Sequence, residues 1–442
     1  MPHSVAEHAR VPVVIGSGLT GLSISHCLSR ASVDHVLIGT RPEMSPRLGE
    51  SMNLEGTLLL WEMFPQLSRF FFPKREVLGY LGDYEVVCDF EVSRRLVSRA
   101  IFRTLGYTPA TEFLQVDRIG FDAALWELVA GSKHCTVVEA AVAEVEFDAP
   151  SDSFTCVHLA DGAAVRPSYV FDATNHGRLL GKAAKLEHRT MGEPQRVAYT
   201  HYHLEPGAPR NVEAWELTTA IVRLFPESDG VDAIGWCIPL GSYISVGVST
   251  TATETTLDDE ALLERIAAAF ARYGVDYRRR YVDRAELKAL RHQYFSYDRA
   301  SGANWLLAGP SYCQVWWMSG AGVGTALAAA LLAPKLLQDP QRWGAEYDRY
   351  MKQVLPIHDT FDFFALSPRE AYQPESIHRF SDQFVVTNLV RLADSTRMRD
   401  NRLAMMASPA VEWIFKQPGA IREYCSVVPI DWRARGTARR DQ

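Results

Sequence analysis

Val11 to Ile15 is an unbroken apolar run rich in β-branched residues, and His35 to Ile38 reads as a second strand. A short run without polar alternation marks a strand buried on both faces of a parallel sheet. Between the two, in LSISHCLSRAS, Ile24, Cys27 and Leu28 fall on one helical face. The pattern predicts strand, helix and strand within roughly thirty residues. Apolar strands are also expected at Tyr169 to Thr174 and from Trp305. From 190 to 300 the period changes. Val197 to Leu204, Thr218 to Phe225, Ala233 to Ile238 and Tyr243 to Thr250 read as strands with turn-rich joins, and Ser242 to Val248 alternates. Alternation predicts an antiparallel sheet with one covered face. Asp258 to Arg280 reads as a charged helix, and the tail beyond Pro340 as mostly helical. The apolar stretch Thr325 to Leu337, interrupted by Pro334 and Lys335, is too short to span a bilayer and predicts a buried helix.

The opening strand runs straight into Gly16-Ser17-Gly18-Leu19-Thr20-Gly21. In a strand-to-helix turn of this kind the first glycine permits the bend and the second lets backbone approach a pyrophosphate. The third lets helix and strand meet closely. The helix then presents unpaired N–H groups and a positive dipole end to the phosphates. The acidic residue that usually follows the second strand and grips a ribose is absent, since the sequence reads Ile38-Gly39-Thr40-Arg41. Ribose contact is assigned to Thr40 or Arg41. Arg41 equally suits a ribose phosphate, so this turn alone leaves FAD and NADP open.

Three later segments resemble those of flavin-dependent halogenases and single-component FAD monooxygenases: Arg47-Leu48-Gly49-Glu50-Ser51; Val116-Asp117-Arg118 with Phe121-Asp122 and Leu125; and Tyr169 to Thr174 with Gly177. A fourth, Gly309 followed by Gly320-Ala321-Gly322-Val323-Gly324, is similar to the family's third flavin motif. The resemblance implies FAD, with Ser51, Arg118, Asp172, Gly309, Gly320, Gly322 and Val323 beside it. Asp172 also suits a second role, capping the turn that follows its strand. Pro310 stands where the family carries aspartate, which removes one polar anchor of the ribityl chain. Gly320 stands well after its strand, so it is not a second nucleotide turn. No separate nicotinamide unit is legible. Reducing equivalents are expected from NAD(P)H directly or from a partner flavin reductase, with O2 as co-substrate.

The fold class expected from pattern and resemblance is α/β. A Rossmann-like FAD-binding domain (parallel sheet with helices) spans 1–190, with substrate-domain segments inserted near 70–115. An antiparallel β-sheet substrate domain follows at 191–300, a return to the FAD-binding domain at 301–340, and a helical C-terminal region at 341–442. The length, 442 residues, exceeds what one core usually supports. At 47% apolar and 22% charged residues the composition is that of an ordinary globular protein, and a diffuse net charge of −7 argues against nucleic acid. The cysteines number seven, scattered and without CxxC, which predicts reduced thiols and no zinc motif. MPHSVAEHAR lacks the form of a secretory signal, and a cytoplasmic protein without a membrane span is expected.

Trp236-Cys237-Ile238-Pro239 resembles half of the halogenase GWxWxIP motif, with Ala233 and Ile234 where Gly and Trp would stand. Trp236, Trp316, Trp317 and His203 are the expected pocket lining. His201 and His203 share a strand face but have no third ligand nearby, so no metal is expected. Candidates for chemistry are Glu50 and Ser319, followed by Lys74 and then His176. Lys74 is the one lysine between 51 and 132, where halogenases of the tryptophan type carry theirs, and Met318 replaces that subclass's glutamate. The expected function is oxygen transfer through a flavin C4a-hydroperoxide to a small hydrophobic or aromatic molecule of secondary metabolism, free or tethered to a carrier protein. The alternative is flavin-dependent halogenation with reduced FAD, O2 and halide. Further alternatives are a geranylgeranyl-reductase-like reaction and a non-catalytic flavoprotein.

Overall fold

A computed structural model describes residues 10–89, 113–251, 255–398, 409, 413 and 425–431. The strands predicted at Val11, His35, Tyr169 and Trp305, joined by Cys135–Val138, which the sequence reading leaves out, form one parallel five-stranded sheet. Its order is Trp305–Leu307, Pro167–Asp172, Val11–Ile15, His35–Ile38 and Cys135–Val138. Val13, Val14 and Leu37 are fully buried, as strands between two helical layers must be. Helix Leu19–Arg30 leaves the first strand and packs against Ala321–Leu336, which also carries Leu54–Met63. Six of the seven residues from Leu327 to Ala333 are buried, so the late apolar stretch is the buried helix its composition predicts.

A larger sheet stands beside the first, ordered Cys313–Gln314, Lys288–Tyr297, His188–Leu204, Tyr243–Thr251, Ala233–Pro239, Thr218–Leu224, Glu76–Leu81, Tyr84–Asp89 and Cys425–Pro429. Its pairs are antiparallel except one: Thr218–Leu224 runs parallel to Glu76–Leu81. The expectation of one covered face is corrected here, because every residue of Tyr243–Thr251 and of Ala233–Pro239 is buried. Helix Asp259–Arg272, capped by the Asp258 carboxylate at Ala261 N–H, covers one face, and a cavity wall forms the other. The tail contributes helices Pro340–Lys352, Leu355–Leu366 and Pro374–Arg397, then the edge strand Cys425–Pro429, which the helical reading of the tail leaves out.

The reduced-thiol expectation holds for Cys27, Cys135, Cys156, Cys237 and Cys313, which are free. It fails at Cys88, which is disulfide-bonded and whose strand register sets it opposite Cys425. Two cysteines so far apart in sequence carry no local signature of pairing. Among the described residues no helix is long and apolar enough to cross a membrane.

Candidate functional site

The first glycine turn is built as its spacing requires. Gly16 sits at φ +109 and donates its N–H to the Ile38 carbonyl at 2.8 Å, which joins the first two strands. A Cβ on Gly21 would stand 1.7 Å from the Gly16 carbonyl oxygen, so only glycine lets the helix come this close. Gly18, by contrast, has nothing within 4 Å of where its Cβ would be. It heads Leu19–Arg30 with no side-chain cap, so the first N–H groups of that helix face open space. The missing acidic residue also has a physical cause. A side chain at position 39 would begin 2.7 Å from Ser17 Oγ, which itself donates to the Thr40 carbonyl. Arg41 pairs with Glu127 at the surface, and neither Thr40 nor Arg41 is among the residues that line the cavity described next.

Gly18, Leu19 and Thr20 open into a cavity of about 610 Å³. Its far boundary includes Gly320, Gly322 and Val323 at the start of Ala321–Leu336. Gly320 has φ +63 and ends a tight turn in which Ser319 Oγ donates to the Trp316 carbonyl at 2.7 Å and accepts from Ala321 N–H at 3.2 Å. Ser319 is therefore buried and occupied by the turn. Two glycine-headed helix N-termini thus meet one space, each suited to negative charge. Pro310 also lines it. Gly309 does not: its N–H is taken by the Tyr347 hydroxyl at 2.7 Å. Asp172 is likewise withdrawn from the cavity. Its carboxylate accepts from Thr174 N–H, Thr174 Oγ1 and Leu180 N–H, and burial pushes its pKa up. Of its two sequence readings, the turn cap is the one these contacts match.

Arg118 is buried beside the loop that carries Glu50. It grips Asp122 through two nitrogens at 3.0 and 2.9 Å and donates to the Leu48 and Gly49 carbonyls. Asp117 caps the same helix at Gly120 N–H and accepts from the Tyr243 hydroxyl at 2.7 Å. The arginine holds the loop in place while its edge meets the cavity. Glu50 is 1% exposed, and His201 Nε2 lies 2.8 Å from its Oε1. The contact is close but poorly directed, because neither carboxylate oxygen nor either ring nitrogen has a well-aligned hydrogen bond. His201 packs against the Tyr243 ring and backs Glu50, whereas His203, one step along the same face, is exposed and outside the cavity lining. The pocket role expected of His203 is therefore corrected. It fails because that end of the strand runs out past the wall.

Lys74 closes the short strand Phe71–Lys74, whose pairing with Phe113–Val116 turns it inward. It is 4% exposed and lines the cavity. Its Nζ donates to Ser51 Oγ at 3.0 Å and to the Met52 carbonyl. Burial lowers its pKa to about 7, since water no longer solvates the ammonium. Trp236 and Trp317 meet on the cavity wall with ring centroids 4.4 Å apart and planes inclined by 54°, and Trp316 completes it with its indole N–H on Asp362. His176 also lines it, as does His292, which sequence reasoning missed because a histidine in a strand carries no mark of its own. Away from the cavity, Glu146, Cys156 and His158 bring three ligand atoms within 4.8 Å of one another on the Val142–Asp148 and Ser153–Leu159 hairpin.

This arrangement is the fold of flavin-dependent halogenases and FAD monooxygenases. A variant of halogenase PltM in complex with FAD aligns with a TM-score of 0.68 over 98% of this chain and 92% of that one, at 14% identity. The flavin-dependent brominase Bmp2 gives 0.64 over 92% and 100%, at 15% identity. A probable FAD-dependent monooxygenase from Pseudomonas aeruginosa gives 0.61 over 85% and 100%, also at 15%. Sequence likeness is confined to short stretches. The FAD-dependent monooxygenase nvfK of Aspergillus novofumigatus is 40% identical over 42 residues, which is 10% of this chain and 9% of that protein. The monooxygenase ausM of Penicillium brasilianum is 30% identical over 83 residues, 15% of its length. No family model matches the chain.

Proposed function

We propose that the protein is an FAD-dependent oxidoreductase that transfers oxygen to a small hydrophobic, aromatic substrate. The observation that carries this reading is the convergence of two glycine-headed helix N-termini on a single tryptophan-walled cavity. Gly18 to Thr20 would hold the pyrophosphate. Gly320 to Val323 would face the isoalloxazine and stabilise negative charge on its pyrimidine side. FAD bound there supplies two-electron reduction and the activation of O2. The side chains then have modest tasks. Arg118 fixes the loop that presents Glu50 and Ser51, while Trp236, Trp316 and Trp317 orient an aromatic body and keep water out. Pro310 offers the ribityl chain no donor and no acceptor side chain, which fits a flavin held loosely and reduced by a separate reductase or by NAD(P)H in passing.

One observation favours a second reading, flavin-dependent halogenation. Lys74 reaches the cavity as a buried amine near neutrality, the group on which a hypohalous acid would be carried. The deciding experiment supplies the purified, FAD-loaded protein with reduced flavin, O2, bromide and a panel of phenolic and indolic probes. Hydroxylated product supports oxygen transfer, and brominated product that vanishes in Lys74→Met supports the second reading. Absence of any bound or bindable flavin would overturn both.

A further inference from the structure

Glycine weakens the interior of a strand, and where it stands there a ligand or another group often comes close to the backbone. The large sheet holds such buried glycines at Gly79, Gly235 and Gly247. At two of them a side chain already fills the space. A Cβ on Gly235 would stand 2.3 Å from Ile266, and one on Gly247 would stand 2.1 Å from the Trp236 indole. Gly79 differs. The atoms nearest its missing Cβ belong to Val86 and Leu81 of the same sheet, at 3.5 to 4.0 Å, and the residue lines the cavity. No atom of a facing helix comes nearer than these.

The strand register shows what surrounds the gap. Gly79 pairs with Ile221 on one side and Val86 on the other, and two residues earlier Val77 pairs with Thr219 and Cys88. Side chains alternate across a strand, so these residues share one face with Leu81, and all of them line the cavity. From Val77 to Leu81 that face is roughly 13 Å long by the rise of a strand. Helix Pro374–Arg397 packs against Cys425–Pro429, the strand beside Tyr84–Asp89. Its Ile377 and Phe380 line the cavity with Phe361, whose ring meets that of Phe380 edge to face at 5.3 Å. This arm starts where Thr219 Oγ1 meets Ser51 Oγ at 2.9 Å, the hydroxyl to which Lys74 donates. The charged residues of the cavity wall, Arg47, Glu50, Lys74 and Arg118, precede it, and beyond Val77 the wall is apolar apart from Ser381.

We propose that this arm holds a hydrocarbon chain of the substrate and that Gly79 sets the bulk and length of chain it admits. The inference rests on the oxidoreductase reading for its purpose and deepens it. The substrate class is an aromatic ring bearing an alkyl or alkenyl chain, with the ring at the tryptophans and the chain along Glu76–Leu81. A β-branched residue would suit a central strand better than glycine, and the backbone at Gly79 has no left-handed φ that calls for one. A chain passing over Gly79 buries its methylenes against the apolar wall, which is where its binding energy comes from.

Equilibrium dialysis with para-ethylphenol and para-octylphenol tests this on the wild type, Gly79→Ala and Gly79→Val, each FAD-loaded and oxidised and each flavin-free. The wild type is expected to bind the octyl compound at least tenfold more tightly, roughly the least that the added methylenes should contribute. Gly79→Val is expected to weaken octyl binding about tenfold and leave ethyl binding unchanged, with Gly79→Ala between them. Thermal unfolding accompanies the series, and valine in a central strand is expected to hold or raise the midpoint. Should Gly79→Val not fold, Gly79→Ala and the wild-type ranking decide. Equal binding of the two phenols by the wild type, or octyl binding that neither substitution weakens, overturns the proposal. So does a loss shared equally by the ethyl compound. An octyl preference that disappears on FAD loading overturns it too, because the arm would then belong to the flavin. Failure to load FAD strikes the oxidoreductase reading instead, since the ranking and its response to Gly79→Val are still readable without it.

Discussion

Glu50 and Glu55 stand five residues apart, both almost wholly buried, and their surroundings differ sharply. Glu55 opens helix Leu54–Met63 and meets Arg391 at 2.9 Å and the Tyr350 hydroxyl at 2.7 Å, while Arg391 also donates to that hydroxyl at 2.8 Å. All three residues are fully buried, and they tie the first quarter of the chain to two C-terminal helices. Glu50 has an imidazole at 2.8 Å in poor alignment and the cavity on its other side. A buried charge closed in by mutual contacts fixes the fold, whereas one left half-met beside an open space is available for chemistry.

The contrast is tested most severely at Arg391. Arg391→Met leaves the Glu55 carboxylate buried and uncompensated, and is expected to cost about 3–5 kcal/mol in denaturant unfolding. Pairing it with Glu55→Leu should recover most of that loss, and a failure to recover would mean that packing, not charge, dominates there. Next in size is Lys74. Its folded pKa, about 7, lies below its ordinary 10.5, so the unfolded chain binds the extra proton between those values. Stability should therefore rise as pH increases from 7 to 10.5, and Lys74→Met should abolish that rise and stabilise the protein most below pH 7. Thermal unfolding across this range checks the sign. His292 gives a smaller effect of the same sign in the acid range. Held neutral down to about 3, it costs stability as pH falls below 6.5, and His292→Leu should flatten that acid limb. The smallest change is expected from Glu50→Gln, about 1 kcal/mol or less in unfolding, while flavin-dependent turnover changes at least tenfold. A stability loss as large as that of Arg391→Met would place Glu50 with Glu55 as an anchor and remove the distinction.

What the sequence discloses of this molecule depends on how local the physics is. Gly16, Gly18 and Gly21 are legible because a strand-to-helix turn against phosphate admits almost no other residues at those positions, and the structure builds that turn. The buried helix after Gly320 is legible from its unbroken apolar run. Other features depend on partners distant in the chain. Nothing around Glu55 announces Arg391, and nothing around Lys74 shows that pairing with Phe113–Val116 turns it into the cavity. Alternation misleads at Tyr243–Thr251, because serine and threonine also point inward in a strand covered on both faces. His201 and His203 look alike in sequence, and only the position of the wall's rim separates a buried neighbour of Glu50 from an exposed surface histidine. Gly39 reads as a lost ribose ligand until Ser17 is seen to fill its space.

The strand Cys425–Pro429 lies along Tyr84–Asp89, whose Val86 and Cys88 form part of the cavity wall. A late piece of the chain is thus a shutter over an otherwise bare margin of the large sheet. Losing it would leave a row of unmatched amides and carbonyls there, which invites strands from other molecules to dock. Trimming the tail is therefore expected to show itself first as clumping of the protein during preparation.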